Sequence, residues 1–162
     1  MNIIPEKASA RFSVRARTAA YLDQVVMPQV MRCAEAAALA TGTRVTLSIE
    51  RGYKNMINNW TLARRFGQYL EQQGAAFLET DPNSGIGSTD MGDVSQVVPS
   101  IHPYLAICAK GESLCHQHSF ARLAGSEPGL ETMALAAESL ALTALDLLLD
   151  GDLRTAVRAE FD

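Results

Sequence analysis

Two short stretches, Ala10 to Arg15 and Arg44 to Glu50, alternate apolar and polar residues, and a stretch of helical periodicity lies between them. In the first, Ala10, Phe12 and Val14 alternate with Arg11, Ser13 and Arg15; in the second, Val45, Leu47 and Ile49 share one side. A period of two places every second side chain on one face of a strand, so the pattern predicts strand, helix, strand. Another short, buried strand is predicted around Tyr104 to Ala109. That is too few for a usual sheet of about five or six strands. The sequence therefore reads as part of an α/β fold whose sheet is incomplete.

The helices announce themselves by their ends. Thr18 is placed to cap a helix to about Thr41, with Leu22, Val25, Val26, Val30, Cys33, Ala37 and Ala40 at helical spacing and Gly42 as its stop. Pro28 lacks a backbone donor and should kink this helix or break it in two. A second helix is expected from near Asn59 to before Gly74, with Leu62, Phe66 and Leu70 as its apolar stripe. Asp81-Pro-Asn-Ser-Gly85 and Gly87-Ser-Thr-Asp90 are loop chemistry. The last long helix runs from about Glu127 to Leu149. Apolar residues on both its sides predict that it is covered over much of its circumference. Gly151 ends it, and Asp152 starts a final short helix.

Composition narrows the class. A chain of 162 residues, 48% apolar and 20% charged, is long enough to bury a core and has the balance of a globular protein. A net charge of −4 gives no reason to expect nucleic acid as a partner. Cys33, Cys108 and Cys115 are odd in number and irregular in spacing, so no disulfide framework is implied. No charged amino terminus leads into an apolar signal segment, and Met133 to Leu149 is short and carries Glu138 and Asp146. No membrane association and a cytoplasmic, reduced location are the expectations.

Four segments, in order, carry a resemblance. They are Asn2-Ile-Ile-Pro5 with Ala8-Ser-Ala-Arg-Phe-Ser-Val-Arg15; Cys33-Ala-Glu-Ala-Ala-Ala-Leu-Ala-Thr-Gly-Thr43; Gly87-Ser-Thr-Asp-Met-Gly-Asp-Val-Ser95 running into Val98-Pro-Ser-Ile-His-Pro-Tyr104; and His116-x-x-x-Phe120 with Ala124-Gly-Ser. Together they resemble the aminoacylase/carboxypeptidase-type zinc peptidases (metallopeptidase family twenty), nearest the amidohydrolase branch of aminobenzoyl-glutamate hydrolases and aminoacyl dipeptidases. The resemblance implies residues 1–51 as the second half of a ferredoxin-like lid and dimerisation domain. It implies residues 52–162 as the carboxy-terminal part of an αβα catalytic domain.

It also implies a chemistry. A catalytic zinc site needs about three protein ligands and an open position. The resemblance supplies only the last ligand, His116, and places the other ligands and the glutamate base in an amino-terminal portion. Gln117 stands where relatives carry a small hydroxylated residue. Asn2 and Arg15 resemble the lid pair that grips a substrate carboxylate or amide oxygen, a task for which the planar guanidinium is suited. Ser88, Thr89 and Asp90 are expected beside the active-site edge as substrate-binding or ligand-supporting groups. Each has a plainer reading: Arg15 as a solvated surface cation, Ser88 to Asp90 as local turn caps, and Cys115, His116 and His118 as ordinary loop residues or a small adventitious zinc site. His102, before Pro103, reads as structural.

The expected function is thus the carboxy-terminal fragment of a metal-dependent amidohydrolase, acting on N-acyl amino acids or dipeptides and inactive alone. Two zinc ions are the implied cofactor of intact relatives. The alternatives are a subunit of a split amidohydrolase, completed by an amino-terminal partner polypeptide, and a non-catalytic module that dimerises through its lid unit.

Overall fold

A computed structural model describes residues 3–79 and 87–162. The Asp81-to-Gly85 loop expectation lies outside the described residues. The chain divides into two compact units, Met1–Asn55 and Met56–Asp162.

The first unit is one helical run flanked by irregular chain. Helix α1 (Ala19–Tyr21) leads through a wide π turn (Leu22–Val26) into α2 (Met27–Thr41). Thr18 caps the run by accepting a hydrogen bond from the Tyr21 amide at 3.2 Å. Gly42 stops it in the left-handed conformation, φ 65°, which glycine adopts without a Cβ penalty. Pro28 neither breaks nor ends the helix. The π turn lies directly before it, where the missing proline N–H would have bonded back, and widening the turn accommodates the ring. None of the unit's described residues is buried. Its cations are Lys7, Arg11, Arg15, Arg17, Arg32, Arg44, Arg51 and Lys54; its anions are Glu6, Asp23, Glu35 and Glu50. Arg51 pairs with Asp23 at 2.8 Å, Arg11 with Glu50 at 3.5 Å, and the Asn55 side chain accepts from the Ala19 amide at 2.9 Å.

The second unit holds α3 (Trp60–Gln72), α4 (Met91–Val94), α5 (His118–Ala124), α6 (Glu127–Leu149) and α7 (Gly151–Phe161). Helix α3 buries Leu62, Phe66 and Leu70, the predicted stripe. Leu62 meets Leu153 and Val157 of α7, with Ile101 and Leu147 packed around them. Asn59 works twice: its side chain accepts from the Leu62 amide at 3.0 Å and donates to the Val157 carbonyl at 2.9 Å. It thereby caps α3 and ties it to α7. Asp150 caps α7 by accepting from the Asp152 and Leu153 amides, each at 3.0 Å.

The expected α/β architecture is corrected: among the described residues there is no strand, so neither the strand-helix-strand lid nor a sheet of the catalytic kind is present. Residues 10–15, 44–50 and 104–109 are irregular or bend-like. Alternation makes a strand only when a neighbour takes its amides and carbonyls and covers its apolar face. Here Phe12 is 79% and Ile49 52% exposed. No ladder forms to hold the pattern.

The coverage expected of α6 is also corrected. It packs on α3, α5 and α7, but its buried residues are only Gly129, Ser139 and Thr143, while Leu148 and Leu149 are each 76% exposed. At 23 residues, α6 is long and apolar enough by length and composition to cross a membrane. Its Ser139 and Thr143 hydroxyls turn back to their own helix, donating to the Leu135 and Ser139 carbonyls at 2.9 and 2.7 Å.

Candidate functional site

The segment around His116 is a tight loop between irregular chain and α5. His116 has φ 71°, the one non-glycine residue with positive φ among those described. For a side chain with a Cβ this conformation costs of order 1–3 kcal/mol and persists only where the surroundings impose it. Gln117 does the imposing. Its side-chain oxygen accepts from the Leu114 amide at 3.1 Å and from Ser113 Oγ at 3.4 Å, while Ser113 and Ser119 share a hydrogen bond of 2.7 Å. The residue that departs from the family pattern therefore clamps the loop. Its signal in the sequence was only its position before a helix start.

His116, Cys115 and His118 are all exposed. Beside this loop lies an open depression of about 360 Å³, lined by Glu112, Ser119, Arg122, Leu123 and Ser126. Among the described residues, no three His, Cys, Asp or Glu side chains gather where a metal ion would sit. The described side chains do not make up a complete zinc centre. His116 offers one imidazole.

Ser88 is exposed, and Thr89 and Asp90 start α4. Thr89 Oγ1 accepts from the Met91 amide at 3.3 Å, its carbonyl from the Gly92 amide at 3.1 Å, and the Asp90 carbonyl from Asp93 at 2.9 Å. These bonds are those of a turn opening a helix. No hydrogen bond or ion pair joins the three residues to His116 among those described. Arg15 belongs to the first unit, exposed and without an ion pair among the described residues. Asn2 lies outside them.

Just beyond that turn, Ser95 is fully buried. Its hydroxyl donates to the Gly92 carbonyl at 2.8 Å and accepts from the Ile57 amide at 2.9 Å, while the Asn59 amide donates to the Ser100 carbonyl at 2.9 Å. The Gly87–Ser95 segment thus docks on the start of α3. Glu160 joins the same region. Its carboxylate accepts from the Trp60 amide at 2.6 Å and the Thr61 amide at 2.8 Å, taking two amides that the first turn leaves free. Burial alone would push its pKa up; the bonds from the Thr61 side chain and the two amides, with Arg64 nearby, hold it below the ordinary value. An open cavity of about 300 Å³, lined in part by Asn58, Gln96, Pro99 and Glu160, lies here. Sequence reasoning missed this junction, because hydrogen bonds spanning a hundred residues leave no local pattern. The His102 ring lies tilted against that of Tyr104, centroids 5.0 Å apart, and its buried Nδ1 has no partner among the described residues.

No protein-family model matches the sequence. The chain is 37% identical over 163 residues to a Xaa-Arg dipeptidase of Mus musculus, and 34% identical over 165 residues to a Xaa-Arg dipeptidase of Homo sapiens. In both cases 99% of this chain is covered and 37% of the relative. The chain spans little more than a third of the length of the curated relatives it matches. The similarity relates it to peptidases.

Proposed function

We propose that these 162 residues are part of a metal-dependent amide hydrolase acting on dipeptides or N-acyl amino acids, and that alone they do not hydrolyse. The observation that carries the reading is the match along 99% of the chain to two dipeptidases. In this reading His116 is one zinc ligand, held by the Gln117 clamp in a conformation the backbone resists. Ser88, Thr89, Asp90, Arg15 and Asn2 serve the substrate, with arginine suited to a carboxylate. The remaining ligands and the general base come from other residues. A single imidazole holds zinc too weakly to generate a nucleophile from water.

The test is direct. The purified 162-residue chain is incubated with zinc, cobalt or manganese and a panel of N-acyl amino acids and dipeptides, some ending in arginine. No turnover above buffer is expected. Turnover that a chelator abolishes overturns the claim of inactivity alone.

The second reading is a split enzyme, in which a separate polypeptide completes the protein. The first unit favours it, because none of its described residues is buried and a folded unit needs a covered apolar face. A homodimer through that unit is the rival. Size-exclusion chromatography with light scattering distinguishes them: a strict monomer removes the homodimer.

A further inference from the structure

We draw no further inference here: the strongest candidate, the open depression beside the His116 loop lined by Glu112, Ser119, Arg122, Leu123 and Ser126, belongs to the candidate site already described, and nothing in the structure shows what covers it.

Discussion

The Tyr69 hydroxyl donates to Asp146 Oδ2 at 2.5 Å, joining the last turn of α3 to the last turn of α6. Arg65 lies 3.4 Å from the same oxygen and 3.8 Å from Asp150, so one carboxylate answers a phenol and a guanidinium from successive turns of one helix. The hydrogen bond to Asp146, then burial and the nearby negative charge, raise the phenol's pKa above 10.0, with Arg65 opposing. The protonated phenol is the bonded form. Its contribution is therefore fully present below the ordinary value and is lost as pH rises through the raised one. Tyr69→Phe should lower the melting temperature at neutral pH, with the difference closing in alkali. In an absorbance titration the variant should lose the last tyrosine to ionise.

Glu160 gives the mirror case. Its folded pKa lies below the ordinary 4.5, so its contribution is present above that value and is lost as pH falls through the depressed one. Glu160→Ala should cost about 0.5–1 kcal/mol at neutral pH, near the low end for a helix cap because the side chain is exposed. Urea titrations at about pH 7 and about pH 3 should show the gap between the two proteins shrinking in acid.

Gly67 faces the ring of Phe77 so closely that an added Cβ would overlap Cγ and both Cδ atoms. Gly67→Ala should destabilise by about 1–3 kcal/mol, the cost of overpacking. Adding Phe77→Leu, which withdraws the ring, should restore part of the loss. Denaturant midpoints of the single and double variants decide it, and simple additivity would contradict the contact.

At His116 the expectation reverses sign. Glycine accepts the left-handed backbone without the Cβ clash, although it starts from a freer unfolded chain. His116→Gly should be neutral or gain up to about 1 kcal/mol, while Gln117→Ala should destabilise the loop and speed exchange at the Leu114 amide. A large loss of stability in the glycine variant would mean the imidazole itself supports the fold.

The sequence was most readable where structure is local. Thr18 and Asn59 cap helices within three residues of themselves, and Gly42 ends one by its own conformation, so each marks its element without help. The runs at 10–15 and 44–50 carry the right alternation, but a strand depends on an edge supplied from elsewhere, which periodicity does not report. The loop before α5 drew attention in the sequence through His116, yet the residue that shapes it, Gln117, looked like a flaw in the pattern. Ser95, Glu160 and the tie from Asn59 to α7 went unread for a related reason. Their partners are 38 to 100 residues away, and only folding brings them within reach.

Gly129 sits near the start of α6 with the Leu123 and Ala124 carbonyls against the place a Cβ would occupy. That helix rises about 34 Å from one end to the other, so it behaves as a lever whose fulcrum is a missing methyl group. A tilt of about 10° at the fulcrum would swing the far end by roughly 5 Å, given the rise of the 20 residues beyond it. Asp150 alone separates that far end from α7. A substitution at Gly129 that tilts α6 should therefore be read out at its opposite tip, where Val157 of the following helix packs with Leu62.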